Sequence, residues 1–350
     1  MGETIVLEPF ANINLDDPFF DSLKADYPEF ESWFNKKSET GNKAYVQYTN
    51  NKLQAFLYLK DESGEALLDV VPQRSPCTRL KIGTFKIDAH NTKLGERFLK
   101  KIMDAALYIK AEEIYVTIFA KHNALIRILQ RYGFFQEGKK GEELVLVKKM
   151  KELTGNQIKD YPLLTLKGKR KFLLSIYPKY HTRMFPDSIL RNEENIKYEL
   201  IKDTSYTNSI HKIYLCFMAD AIQLQRGDLI AIYRTSDRKG FARYRSVITS
   251  ICQVEEVKNN TDFKTLEEFI TYVNYYSIFD QQELRRWYQN KQCVIIKMTY
   301  NIALTKRVTN GFLIDHLKMS PKYWGFFQLT DQQFNEILKK GEIDESVIID

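Results

Sequence analysis

Hydrophobic positions follow two rhythms along this 350-residue chain. In residues 93–111, Leu94, Phe98, Ile102, Ala105 and Ile109 keep near-helical spacing. In residues 121–138, Leu125, Ile128, Leu129 and Tyr132 stand at i, i+3, i+4 and i+7. Each set makes one apolar face of an α-helix. Gly133 follows the second set, where a residue free to take positive φ closes a helix. Strand patterns surround these helices: "IVLE" at 5–8, "TRLKIGTFKID" at 78–88, "EIYVTIFA" at 113–120 and "EELVLVKKM" at 142–150. Residues 44–71 read as two strands around Asn50-Asn51, a turn pair that tolerates left-handed backbone. Before them, Pro28 separates two short helical patterns and Gly41 ends the second.

Beyond residue 150 the pattern turns to short β segments. "FLLSIYP", "IKYELIKD", "HKIYLCFM", "DLIAIYRT", "ARYRSVITSICQVEEV" and "QCVIIKMTY" are β-rich and bounded by turn residues. "TLEEFITYVNYY", "DQQELRRWYQN" and "DQQFNEILKKG" read as helices among them. Many strands with a few inserted helices predict a small mixed or open β-barrel. The polar, basic stretch from 151 marks the boundary. The expected organisation is a first domain over 1–152, a linker at 153–166, a second domain at 167–341 and a tail at 342–350.

Composition changes this picture little. Hydrophobic residues make up 44% and aromatics 13%, which excludes global disorder. The net charge of +7 is compatible with a polyanionic partner without demanding one. Cys77, Cys216, Cys252 and Cys293 lie far apart, in no zinc or disulfide pattern, so no metal site is expected. No apolar run reaches the ~20 residues of a membrane span. "MGETIVLEPF" has no secretory pattern, so a cytoplasmic protein without membrane partners is expected.

The order β, α-rich segment, hairpin, β, α, β, α, β over 1–152 resembles the GNAT superfamily of acetyl-CoA-dependent N-acyltransferases. "IGTFKIDAHNTKLGERFLKKIMDAAL" is similar to the family's strand, loop and helix that hold the coenzyme, and "IYVTIFAKHNALIRILQRYGFFQEG" to its next strand and helix. A strand feeding a tight loop that opens a helix presents amides and the positive end of a helix dipole, which suits a pyrophosphate. The family writes that loop as Arg or Gln, two residues, Gly, one residue, then Gly or Ala. Here it reads His90-Asn91-Thr92-Lys93-Leu94-Gly95, keeping only the second glycine. The resemblance implies acetyl-CoA contacts from Ile87, Asp88, Lys93, Leu94, Gly95, Glu96, Arg97 and His122. The helix Tyr that often reprotonates the leaving thiolate is replaced by Leu129, so Tyr132, His122 or water takes that role, or catalysis is lost. Asp88, Glu113 and Glu8 are the carboxylates nearest a general-base position.

Residues 167–341 are similar to the PUA-like group, above all its ASCH and EVE branches. The resemblance rests on "KFLLSIYPKYHTRMF", "GDLIAIYRTSDRKGFARYRSVITSICQVEEV" and "MSPKYWGFFQLTDQQFNEIL". The fold class expected for the whole chain is therefore an α/β (α+β) unit with a mixed central sheet, followed by a mixed β-barrel with inserted helices. Between 167 and 183, Lys169, Arg170, Lys171, Lys179 and Arg183 interleave with Tyr177 and other aromatics and no acid, which suits phosphate neutralisation and base stacking. A second cluster, Arg234, Arg238, Lys239, Arg243, Tyr244 and Arg245, straddles Gly240. Trp324 either lines an aromatic cage or fills the core.

Three readings stay open. The first is an acetyl-CoA-dependent N-acetyltransferase acting on an RNA-linked substrate such as tRNA or aminoacyl-tRNA, with a tRNA-acetylating toxin as a special case. The second is a non-catalytic acyl-CoA domain fused to a nucleic-acid reader. The third is a protein or small-amine acetyltransferase whose barrel is structural.

Overall fold

Asn50 and Asn51, at φ 51° and 61°, turn the chain between β2 (Lys43–Thr49) and β3 (Lys52–Asp61). Two successive left-handed residues match the twist of the strands they join. The computed structural model describes residues 4–88, 93–185, 210–237, 240–290 and 292–350. The loop residues His90, Asn91 and Thr92, the strand pattern at 196–203, and Arg238 and Lys239 lie outside the described residues.

The chain divides into two compact units, Met1–Glu152 and Leu153–Asp350. The first contains β1 (Val6–Pro9), β4 (Arg79–Ile87), β5 (Glu113–Phe119), β6 (Phe135–Lys140) and β7 (Glu143–Lys149) beside β2 and β3. Its helices are α1 (Asp21–Asp26), α2 (Phe30–Glu39), α3 (Leu94–Tyr108) and α4 (Asn123–Arg131). The seven strands form one sheet in the order β1-β2-β3-β4-β5-β7-β6. Crossover through α3 makes β4 and β5 parallel, while the other pairs are antiparallel.

Both sheet faces are covered. On one, Phe56 and Tyr58 pack with Phe10, Phe20 and Phe34, and the 62–78 segment lays Leu67 and Val70 over Tyr115, Val145 and Val147. On the other, α3 buries Phe98, Leu99, Ile102 and Met103, with Phe98 6.0 Å from Phe85. Helix α4 ends as its sequence predicts: Gly133 has φ 86°, its amide donates to Gln130 O, and the Phe134 amide donates to Leu129 O. The hairpin over 44–71 ends at Asp61, and 62–78 is a separate strap. Strand β6 escapes the sequence reading because "FQEGKK" is polar, as an edge strand tolerates.

The second unit holds β8 (Lys171–Ile176), β9 (His211–Cys216), β10 (Leu229–Arg234), β11 (Val247–Asn259), β12 (Val294–Thr309) and β13 (Phe326–Leu329). They form a mixed sheet in the order β13-β8-β10-β11-β12-β9, with β8 and β10 parallel. Register shifts at three places along the β11–β12 pair bend these long strands. Helices Leu266–Asn274 and Gln281–Gln289 are inserted between β11 and β12. This is the class expected, a mixed sheet with inserted helices. Residues 242–245, expected to open a strand, form a short helix instead.

Residues 153–166 and 342–350 are not a linker and a tail. Leu163 and Leu164 are buried, Leu164 bridges to Ile348, and the Tyr161 hydroxyl donates to Tyr300 O at 2.9 Å. Asn301 Nδ2 donates to Pro162 O at 3.2 Å, and Thr165 Oγ1 to Asp350 Oδ1 at 2.7 Å. The apolar "YPLL" within a polar stretch is the part that must be buried. Leu164→Ala is expected to destabilise the chain by about 2–5 kcal/mol in urea unfolding, as a core leucine does. A change within about 0.5 kcal/mol, typical of exposed sites, would return this segment to linker status.

Candidate functional site

The first unit's sheet comes apart between β4 and β5. Pairing of these strands runs from Arg79 opposite Glu113 to Ile82 opposite Val116 and stops there. Both strands continue, β4 to Ile87 and β5 to Phe119. Beyond the stop, β4 stays registered with β3 as far as Ala55 opposite Ile87, and β5 stays with β7 as far as Phe119 opposite Glu143. The β3–β4 register skips Gly83, since Tyr58 faces Thr84 and Leu59 faces Ile82. An unpaired extra residue is a β-bulge, which bends its strand and raises the local twist. The bend falls one residue past the last β4–β5 pair.

Gly83 is required there by packing. A Cβ at this position would lie 2.8 Å and 3.2 Å from Cδ1 and Cε1 of Tyr58. That ring cannot yield easily, because it meets Phe10 at 5.4 Å and Trp33 at 5.6 Å edge-on and its hydroxyl donates to Asn42 Oδ1 at 3.0 Å. The amides in the wedge follow from the ladder. Asp88 donates its N–H to Gln54 O at 2.9 Å. Alternate residues of an antiparallel strand turn both backbone groups to the same neighbour. Thr84 and Lys86 thus also face β3, while Phe85 and Ile87 turn their amides and carbonyls to the side β5 has left. An extended chain bearing amides can occupy such a vacated ladder.

At the mouth of the wedge, His122 is the N-cap of α4, three residues past the end of β5, and is half-exposed. Its Nε2 lies 3.2 Å from Asp26 Oδ2, at the end of α1, and Lys121 also reaches that carboxylate. Asp26 thus stands beside the imidazole as its nearest charged neighbour. Tyr27 next to Asp26 packs on Phe119 at 5.3 Å and donates to Glu143 Oε1 at 2.7 Å, which fixes the end of α1 against β5 and β7. Asp26 and Gly83 were missed by sequence reasoning: one acts through a fold-level contact, the other through a bulge that periodicity does not reveal.

Other expected site residues sit differently. Tyr132 is fully buried and its hydroxyl donates to Glu96 Oε1 at 3.1 Å, so it ties α4 to α3. Arg131 meets the same Glu96 oxygen at 3.3 Å, which leaves Glu96 facing the protein interior. Leu94, Lys93 and Arg97 have buried side chains as well. A Cβ on Gly95 would lie 2.7 Å from Ile128 Cδ1, so the glycine retained in the loop lets α3 approach α4. Ile87 ends β4 with its backbone toward the wedge, and exposed Asp88 is 3.4 Å from Lys86. Glu8 accepts from the Tyr48 hydroxyl at 3.2 Å.

Glu113 lies at the opposite, closed end, in a pocket of about 420 Å³ lined by Arg74, Arg79, Cys77 and Lys149 among others. Arg79 Nε donates to its Oε1 at 2.6 Å, Lys149 to its Oε2 at 2.9 Å, and Arg74 to both oxygens. Burial alone would raise this carboxyl, but hydrogen bonds from Arg74, Arg79 and Lys149 outweigh it and hold the pKa at about 2. Glu113 is a structural anion and no general base.

In the second unit the basic-aromatic stretch is split by its own strand. The six residues of β8 separate Lys169 from Lys179, and at ~3.3 Å per residue that strand spans about 20 Å. Lys171 is buried, donating to Leu166 O and to Asp331 Oδ1 at 2.6 Å. Arg170 is held by Asp228 and Gln223 O, Arg243 by Asp315, and Arg183 donates to Ile278 O. These four serve the fold first. Tyr177 is 60% exposed, and exposed Lys179 sits 4.4 Å over Tyr180. Half-buried Trp324 stacks on Tyr233 at 5.6 Å, with Phe327 edge-on at 5.8 Å. The charge is uneven along the chain: 29 Lys+Arg against 23 Asp+Glu in the second unit, and 23 against 22 in the first.

Two outcomes are expected. Gly83→Ala forces the Tyr58 ring to move and lowers stability by about 1–3 kcal/mol in denaturant titration. Glu113, with its folded pKa depressed, stabilises the chain above the ordinary Glu value of 4.5, and that contribution is lost as pH falls toward 2. Glu113→Gln strands three cations, costs about 3–5 kcal/mol at pH 7, and flattens the stability profile between pH 4.5 and 2. An unchanged profile in that variant would remove Glu113 from the account of acid lability.

No family model and no curated protein matches this chain. Among the described residues no helix is long and apolar enough to cross a membrane. Solved structures similar to parts of the chain are of two kinds. An ASCH protein from Zymomonas mobilis is 8% identical, covers 48% of this chain and 94% of its own, and gives a TM-score of 0.33. A GNAT family acetyltransferase from Elizabethkingia anophelis with acetyl-CoA bound is 15% identical over 42% of this chain and 99% of its own, at 0.29. An N-acetyltransferase from Thermoplasma acidophilum in complex with coenzyme A is 13% identical over the same shares, at 0.30. The two kinds are the two resemblances drawn from the sequence, GNAT and ASCH.

Proposed function

We propose that the first unit is an acetyl-CoA-dependent N-acyltransferase and that the second faces nucleic acid, so that the acceptor is an RNA-linked amine such as an aminoacyl-tRNA. The observation that carries the first half is the wedge between β4 and β5. It supplies a vacated ladder, with the Phe85 and Ile87 backbone groups turned into it, for the amide-bearing pantetheine arm. The first turn of α3 follows β4 in the chain and suits the diphosphate through its helix dipole.

In this reading the amine attacks the acetyl thioester directly, and the alignment of the two reactants supplies much of the acceleration. His122, beside Asp26, moves the proton between amine and departing thiolate. Tyr132 and Leu129 contribute packing. The second half rests on the charge excess of the second unit and on its exposed Tyr177 and Lys179. A non-catalytic reader is the competing reading, favoured by the buried Tyr132 and by Leu129 in the place of a helix acid.

Calorimetry separates the readings. Acetyl-CoA is expected to bind in the micromolar range, and silence at millimolar ligand would sink the transferase. With charged tRNA as acceptor, His122→Ala is expected to slow thiol release by about 10²-fold or more. Tyr132→Phe is expected to leave thiol release unchanged while lowering stability by about 1–3 kcal/mol. The opposite pattern would hand the proton to Tyr132. Salt-dependent retention of the full chain on tRNA is expected, and no retention at low salt would favour a protein or small-amine acceptor.

A further inference from the structure

An aromatic row crosses the second unit from the helix Pro178–Met184 to the end of β9. Tyr180 lies 5.1 Å from Phe279, Phe279 5.6 Å from Trp287, and Trp287 4.3 Å from Phe217. Phe279 is buried and anchors the row to the core. Tyr180 and Trp287 are half-buried, and Phe217 is 51% exposed although its ring stacks on Trp287 at 24°. Burying a phenylalanine is worth about 1.5–3 kcal/mol, so a stacked aromatic pair left facing water marks a contact surface more than a core.

Cations stand at both ends. Lys179 lies over Tyr180 at 4.4 Å and is exposed. Exposed Arg286 precedes Trp287 on the helix Gln281–Gln289 and projects about 100° from it. The nearby acids Asp280 and Glu283 are engaged in a reciprocal cap, the Glu283 amide donating to Asp280 Oδ1 at 2.7 Å and the Asp280 amide to Glu283 Oε2 at 3.1 Å. The whole unit carries the chain's positive excess. Tyr180 is tilted on Phe279 at 54° and Phe279 meets Trp287 edge-on at 65°, so the stacked Phe217–Trp287 pair offers the open ring face, and an open face with cations nearby suits an unpaired base and its phosphates.

We infer that the row Tyr180–Phe279–Trp287–Phe217 is a track for single-stranded nucleic acid, with bases stacking at Phe217 and Trp287 and phosphates meeting Lys179 and Arg286. The inference rests on the reading of the second unit as facing nucleic acid and is independent of acyl transfer. Double-stranded partners fit poorly, because paired bases hide the faces that the rings would take.

The test uses the full chain and a fluorescein-labelled uridine dodecamer, with a duplex of equal length beside it, in anisotropy at 50 mM salt. The single strand is expected to bind more tightly than the duplex, and Phe217→Ala to weaken it about tenfold, within the range for loss of one base stack. Lys179→Ala and Arg286→Ala each lower the slope of log affinity against log salt by about 0.7. Trp287→Phe keeps affinity within a few-fold and loses most of the tryptophan quenching seen on binding. Tyr108→Ala, at an 88% exposed site in the first unit, changes nothing. Equal binding of the dodecamer by wild type and Phe217→Ala overturns the track. If both proteins still retain tRNA, the broader reading survives; if the wild type retains neither ligand, that reading falls too. A wild-type dimer that becomes monomeric in Phe217→Ala at unchanged oligonucleotide affinity would reassign the row to contact between copies.

Discussion

A parallel strand pair that stops after four residues is the constraint on which the first unit depends. Each of its two strands has a second partner that keeps it longer: β3 holds β4 to Ile87, and β7 holds β5 to Phe119. Past Ile82 and Val116 the sheet follows two loyalties, and the gap between them is the candidate site. The gap does not depend on a flexible loop. It depends on Gly83, whose missing side chain leaves room for a Tyr58 ring pinned by Phe10, Trp33 and Asn42.

The closed end of the same pair is stabilised in the opposite manner. There Glu113 draws Arg74, Arg79 and Lys149 together, and Arg79 also donates to the carbonyls of Glu65 and Ser75, binding the 62–78 strap to the sheet. Removing any one member exposes the others to an unmatched buried charge. Strands held by a buried ion network at one end and parted by a bulge at the other form a wedge with a rigid apex. Such a support holds the cleft in shape, which is the preorganisation that the proposed coenzyme site calls for.

The helices and most strands were legible because apolar spacing records burial directly, as Phe98 and Ile102 on α3 or Leu129 on α4 do. The Gly133 cap was legible for the same local reason. The site was legible only in outline. Gly95 reads as a phosphate-loop glycine, yet its lack of a side chain also makes room for Ile128, and Tyr132 reads as a possible acid while its hydroxyl is tied to Glu96. Both belong to helix–helix contacts that sequence spacing does not encode. The basic run at 167–183 looked like one patch, yet a buried strand divides it, so adjacency in sequence became separation in space. His122 was legible, but its partner Asp26 lies 96 positions away and left no local trace. Phe217 and Trp287 gave no signal either, since each alone reads as ordinary core.

Amide hydrogen exchange along β4 tests the central claim most directly, because the wedge alternates donors. In the free chain Thr84 and Lys86, bonded to β3, should exchange slowly, while Phe85 and Ile87 exchange fast; added coenzyme A should then slow Phe85 and Ile87 alone. Slow exchange at all four residues without coenzyme, or no change at Phe85 and Ile87 with it, would mean that the parted strands hold no pantetheine.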